Sequence, residues 1–179
     1  GHVTFPPGTD TPRLAEEGHG PAPLLKQRYL FTALFSSGVL MPAGFEFGFR
    51  KRLHVVHTRP SDWETPSLDL TDFIRRVNSV KSAHEVFQQD GPLQLLSSPN
   101  PRVLCMWKSS RDGGQQAVIA LNKDAWNYQS LYIEDPSRLF QAAGPVRCVS
   151  PENPLQFVAV PFQYDLRPGE AVVLVAGRK

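Results

Sequence analysis

The sequence has almost no excess of either charge: 19 Lys and Arg stand against 17 Asp and Glu, a net +2. The basic residues are also scattered, so no stripe exists to track a phosphate backbone, and nucleic acid is not an expected partner. Cysteine is equally scarce. Cys105 and Cys148 lie far apart without the spacing of a CxxC or zinc cluster, which favours a reduced, cytoplasmic chain and leaves a single disulfide as the alternative. Residues 1 to 20 carry Asp10, Arg13, Glu16 and Glu17 and no apolar centre, so they do not read as a signal peptide. Long hydrophobic runs are missing too. The longest, Tyr29 to Phe45, is cut by Ser36, Ser37, Gly38 and Pro42, short of the roughly 20 apolar residues a bilayer needs, and reads as a buried helix followed by a buried strand. There is no G-x-G-x-x-G or phosphate-cradling loop. "LFSSG" lacks the G-x-S-x-G elbow, and no His or Asp is placed as its partner.

What is present is a 179-residue chain that is 41% hydrophobic, enough for one ordinary domain or a small domain with a piece of another. The periodicity changes once, near residue 90. Before it, "APLLKQRYLFTALFSS" predicts a helix apolar on most of its surface, and "GVLMP" a short strand covered on both faces. A polar loop follows. Then "LDLTDFIRRVNSVKSAHEVF" places Leu70, Phe73, Ile74, Val77 and His84 at helical spacing, with Asp69 as N-cap and Asp72 three residues later. Helix, strand, helix is the rhythm of an α/β unit. After "QQDGP" the pattern turns to short strands. "PRVLCMWKSS" and "QQAVIALNK" flank "RDGG", a tight-hairpin sequence, and "WNYQSLYIE", "GPVRCVS", "LQFVAVPF" and "GEAVVLVAG" continue the series. The boundary falls at residues 89 to 92, and the part from Leu93 is expected to fold alone as an antiparallel sandwich.

The run "TDTPRLAEE", followed a helix later by "GVLMPAGFEFGFRKRLHVV", resembles the last part of the catalytic barrel of glycoside hydrolase family 13, the α-amylase family. Within that family it is most similar to the α-1,4-glucan:maltose-1-phosphate maltosyltransferases. The resemblance implies an α+β chain: a barrel remnant of the last two β/α units over residues 1–90, then an antiparallel β-sandwich over residues 91–179. Asp10 then matches the aspartate that binds the hydroxyls of the transferred sugar and stabilises the transition state. Thr9 stands where the family has its substrate-binding histidine, Gly8 where these maltosyltransferases usually have asparagine, and Arg13 joins Thr9 as a substrate-binding candidate. The implied parent reaction moves maltosyl from maltose 1-phosphate to an α-1,4-glucan without a metal or organic cofactor. Such retaining chemistry needs a nucleophilic carboxylate and a second carboxylic acid about 5 Å apart, on barrel strands that precede these residues in the family. Two strands cannot close a barrel. The chain alone is therefore expected to be inactive, and the apolar side chains Leu30, Phe31, Leu34, Phe35, Val39, Leu40 and Met41 are expected to stay open for self-association or for the rest of a barrel.

Purely local roles compete at each position. Asp10 ahead of Pro12 also reads as an Asx-turn or N-cap. Glu46 in "GFEFG" reads as an architectural turn residue, and "FRKRLH" as a solvated basic loop. His54 and His57, three apart across Val55 and Val56, should point to opposite faces of a strand, so a metal site is not expected there. Trp126, Tyr128 and Tyr132 lie on one face of an expected strand opposite Leu131 and Ile133, either as core or as a sugar-stacking platform. The alternative to a family 13 portion is accordingly a non-catalytic carbohydrate-binding or scaffolding β module. An independent enzyme is the third reading, disfavoured by the lack of a second suitably placed carboxylate.

Overall fold

Two neighbouring strands buried along nearly their whole length organise the chain. In a computed structural model that describes residues 3–4, 22–51, 54, 56–142 and 144–178, the first elements are strand β1 (Val3–Thr4), helix α1 (Ala22–Phe35) and strand β2 (Gly38–Val39). Helix α2 (Thr71–Ala83) follows. Strands β3 (Leu93–Leu96), β4 (Val103–Ser109), β5 (Gln115–Asn122), β6 (Gln129–Ile133), β7 (Arg147–Cys148), β8 (Phe162–Leu166) and β9 (Ala171–Gly177) complete the order. β1 and β2 pair in parallel, with α1 crossing between them. A five-stranded antiparallel sheet runs β3-β4-β5-β9-β7, and β6 and β8 form a separate two-stranded ribbon.

Every residue of β5 is buried, and all of β9 except Gly177. The two strands pair from Gln115↔Gly177 to Leu121↔Ala171, and because side chains alternate across a strand they feed two apolar clusters. Ala117, Ile119, Leu121, Ala171, Val173 and Val175 meet the helices, among them Leu25, Leu30 and Leu34 of α1 and Phe73, Ile74 and Val77 of α2. Val118, Ala120, Val172 and Leu174 meet Leu131 of β6 and Phe162 and Leu166 of β8. The molecule is thus layered: helices, sheet, ribbon. Strands expected to form a sandwich divide five to two, and the helices take the sheet face that the ribbon leaves.

Several local expectations are met. The "RDGG" hairpin joins β4 to β5, with Gly113 at φ 73° and the Asp112 carboxylate accepting from the Gly114 amide at 2.9 Å and the Ser110 hydroxyl at 2.8 Å. These bonds, together with the Arg178 guanidinium, hold the Asp112 pKa down to about 2. The run from Tyr29 to Phe45 is a helix and then a strand, and no helix among the described residues is long and apolar enough to cross a membrane.

Others are corrected. Asp69, expected as the N-cap of α2, instead lies one residue before it: Leu70 is the cap, and the Asp69 carboxylate accepts the Thr71 amide at 2.8 Å. Asp72 ion-pairs with Arg75 instead of completing a capping box, and His84 lies past the helix end, where its backbone bonds the Lys81 carbonyl. "LQFVAVPF" is not a strand: Phe157 and Val160 are exposed, and β8 starts only at Phe162, because Pro154 and Pro161 withhold ladder donors at both ends of the run. The apolar residues expected to stay open are mostly covered by the sheet and α2. Leu30 and Leu34 are buried, Phe31, Phe35, Val39 and Met41 half-buried, and Leu40 alone of the seven is exposed. The part from Leu93 has an apolar cluster of its own between sheet and ribbon, and its other sheet face packs on the helices.

Two lysines fasten the end of α1, whose last carbonyls have no partner within the helix. Lys81 of α2 donates to the carbonyls of Ala33 at 2.7 Å and Phe87 at 2.6 Å, and also to Ser36. Lys108 of β4, 1% exposed, reaches the carbonyls of Leu34 at 3.3 Å and Phe35 at 3.4 Å. Burial, and then the nearby charge of Lys81, push the Lys108 pKa down from 10.5 to about 8. Between those two values the unfolded chain holds a proton that the folded one has released, so this lysine makes stability rise with pH there and leaves it flat below about 8. Denaturant midpoints of the wild type and Lys108→Met at pH 8 and pH 10 should show the wild type gaining on the variant by up to about 1.4 kcal/mol per pH unit. A difference that does not change with pH would contradict this account of Lys108.

Candidate functional site

Asp10, Thr9 and Arg13, the residues expected at a barrel mouth, lie outside the described residues. The neighbouring expectations fall within them. Glu46 sits in a run of turns between Gly44 and Gly48, at φ 83° and 66°, and its carbonyl accepts the Leu70 amide at 2.8 Å, which ties the turn to the start of α2. Gly44 is required there, because a Cβ would lie 2.1 Å from the Phe49 ring. Arg50 and Lys51 are exposed, and their backbone amides donate to the Glu64 carboxylate. His54 and His57 do not point apart: a turn at His54–Thr58 brings their rings to 4.5 Å. Among the described residues no group of three or more His, Cys, Asp or Glu is placed to hold a metal ion. Cys105 and Cys148 are both free and buried in the ribbon-side cluster.

The aromatic residues singled out around β6 are on the surface. Trp126 is 69% exposed, Tyr128 64% and Tyr132 47%, whereas Leu131 between them is buried. Only Tyr132 is in the strand; Trp126 and Tyr128 belong to the turn that leads into it.

That turn is built from residues whose role the sequence reading missed. Asp124 is nearly buried and accepts the amides of Trp126 at 2.9 Å and Asn127 at 3.0 Å, the Asn127 side chain at 3.0 Å, and the Arg102 guanidinium at 3.2 Å. The backbone bond from Trp126, followed by the Asn127 side chain, lowers its pKa below the ordinary carboxylate value. Beneath it lies Asn122, at 0% exposure. Its side-chain amide donates to the carbonyls of Asn127 and Arg167, both at 2.9 Å, and of Leu166 at 3.3 Å, while its side-chain oxygen accepts the Asp124 amide at 2.8 Å. The signal in the sequence was "NKDAWN", three short polar residues, Asn122, Asp124 and Asn127, following the apolar run "AVIAL", where local side-chain to backbone bonds are expected.

Two open depressions flank this region. One, of about 450 Å³, is lined by Pro101, Arg102, Lys123, Asp124, Trp126 and Asn127. The other, of about 340 Å³, lies over the ribbon and is lined by Ser130, Leu131, Tyr132, Gln163, Tyr164 and Asp165. Ser130 and Tyr132 pair with Asp165 and Gln163 across the ribbon, and the Ser130 hydroxyl donates to Asp165 at 2.9 Å. Both depressions combine an aromatic ring with fixed polar groups, a composition suited to a flat, hydroxyl-rich ligand.

No family model matches the chain. Its fold is similar to part of α-amylases of known structure. The α-amylase from H. orenii superposes with a TM-score of 0.72 at 10% identity, over 96% of this chain and 39% of its own. The α-amylase GTA from Geobacillus thermoleovorans, solved in complex with acarbose, gives a TM-score of 0.69 at 15% identity, over 98% of this chain and 38% of its own. The chain thus resembles the C-terminal part of α-amylase-family proteins and spans well under half of those it matches. A sequence likeness narrows the comparison: over 68 residues the chain is 32% identical to the α-1,4-glucan:maltose-1-phosphate maltosyltransferase of Myxococcus xanthus (strain DK1622). That stretch is 38% of this chain and 10% of the maltosyltransferase.

Asn122→Ala tests whether the turn depends on its foundation. Loss of the buried amide leaves at least one carbonyl unsatisfied, and stability should fall by about 1–3 kcal/mol. The Trp126 indole proton resonance should broaden as its support loosens, and an unchanged resonance in an equally stable variant would show that Asn122 does not hold the turn.

Proposed function

We propose that this chain is the C-terminal portion of an α-glucan-acting protein of the α-amylase family, related to the maltosyltransferases that use maltose 1-phosphate. The observation that carries this reading is the coincidence of two likenesses: an α-amylase fold over nearly the whole chain, and 32% identity over 68 residues to a maltosyltransferase. In this reading residues 1–90 hold the last two β/α units of the barrel, and residues 91–179 form the all-β domain that follows, arranged as an antiparallel sandwich. The parallel β1–β2 pair crossed by α1 supports the barrel assignment, since parallel neighbours joined through a helix are the repeating unit of such a barrel. Exposed Leu40 and half-buried Met41 beside β2 supply apolar surface for the remaining barrel wall or for a second copy of the chain. The free, buried cysteines favour a reducing, cytoplasmic setting.

The chemistry assigned to the parent is maltosyl transfer. Asp10 would hold the hydroxyls of the transferred sugar and stabilise the positive charge that develops at its ring. Thr9, shorter than a histidine, and Arg13 would contact the substrate beside it. A stabiliser of this kind acts only on a sugar that other groups hold and cleave, and the nucleophile and acid–base pair belong to other barrel strands. The chain by itself is therefore expected to be silent.

Incubation of the purified chain with maltose 1-phosphate and glycogen should release no phosphate above background, and Asp10→Ala should behave identically. Release that is lost in the variant would overturn this reading and place the missing carboxylates within these residues, Glu46 first among them.

A further inference from the structure

We infer that the depression at the Lys123–Asn127 turn, together with the outer face of the β6–β8 ribbon, is a surface binding site for an α-1,4-linked glucan chain. The inference rests on the α-glucan reading above for its ligand class. It stands on the geometry of the turn for its place.

Trp126 contributes nothing to either apolar cluster, and 69% of it faces water. An indole left exposed forgoes about 25 cal/mol for each Å² of apolar surface that burial would remove from water. Yet the backbone that carries it is fixed: the Trp126 and Asn127 amides donate to the Asp124 carboxylate, and the Asn127 carbonyl accepts from the buried Asn122 amide, which also bonds the Leu166 and Arg167 carbonyls. A ring carried on a fixed backbone has only its own side-chain torsions left to lose when a ligand docks, which lowers the entropic cost of a weak flat contact. Glucose suits such a ring: its C–H face is apolar and rests on the indole, and its equatorial hydroxyls reach outward to hydrogen-bonding groups at the rim.

Those groups are present. Lys123 and the Asn127 side chain line the depression, and Arg102 stands against Asp124. Because the Arg102 charge is shared with that carboxylate, the depression is not a cluster of free cations, and a neutral polyol fits it better than a phosphate. Length points the same way. From Trp126 to Tyr132 the chain advances six residues, at most about 20 Å. The second depression, with Tyr132 and the polar pairs Ser130–Asp165 and Tyr132–Gln163, is built on the strand that this turn leads into. An extended oligosaccharide can span both where a single sugar occupies one.

The test is affinity electrophoresis of the whole 179-residue chain through gels containing glycogen. The wild type should be retarded, and Trp126→Ala should bind at least tenfold more weakly with an unchanged thermal midpoint, as expected for an exposed side chain. Equal retardation of the variant, an unretarded wild type, or equal retardation by a mixed-linkage β-glucan would each overturn the inference. Loss of binding in Tyr132→Ala with Trp126→Ala unaffected would do the same, by moving the site to the neighbouring depression. The assay involves no catalysis, so a failure through Trp126 leaves the phosphate-release test of the parent reaction standing. Preference for the β-glucan would instead count against the α-glucan reading itself.

Discussion

The pairing of β5 with β9 is the constraint on which the remainder of the structure depends. Both strands are apolar on both faces along their middle, so neither can lie at a surface, and the chain has to supply a cover for each side. It supplies α1 and α2 on one and the β6–β8 ribbon on the other. The polar residues at the ends of β5 then act as fasteners. Gln115 accepts the Val86 amide at 3.1 Å and donates to the Arg178 carbonyl at 2.6 Å. Asn122 gathers three carbonyls at the other end, and its own carbonyl accepts from Gln27 of α1 at 2.8 Å.

The same constraint explains the lysines. α1 must end against the sheet where β2 begins, and its last carbonyls would be left unsatisfied among apolar side chains. Lys81 and Lys108 reach them from α2 and β4, so three elements converge on one helix terminus. A cation at a helix C-terminus also meets the negative end of the helix dipole. The arrangement stabilises the junction at the expense of holding the two ammonium groups close, and that repulsion contributes to the lowered pKa of Lys108.

How much of this was legible in the sequence follows from how local each cause is. The hairpin at "RDGG" and the helices α1 and α2 depend on residues within one turn of each other, and they were readable. The run "LQFVAVPF" looks like a strand because its composition is right, but Pro154 before it and Pro161 within it withhold ladder donors, and it stays a loop until Phe162. The likeness to α-amylases was visible in "TDTPRLAEE" and "GFEFGFRKRL", whose residues do not depend on packing to be recognised. The candidate site was half visible. Trp126, Tyr128 and Tyr132 stand out by residue type, whereas Asn122 matters through bonds to Leu166 and Arg167, more than forty positions away, and Asp124 partly through Arg102 on another segment.

The structure therefore joins its helical part to its β part, whose surface carries Trp126, Tyr128 and Tyr132, through one shared core rather than a linker. Native-state amide exchange tests that claim most directly. If β5 and β9 unite the molecule, the slowest amides of α1, α2, β5 and β9 should open in a single cooperative step with a common free energy. Helical amides that exchange through a separate, weaker opening while the strands stay protected would show two independent cores and contradict it.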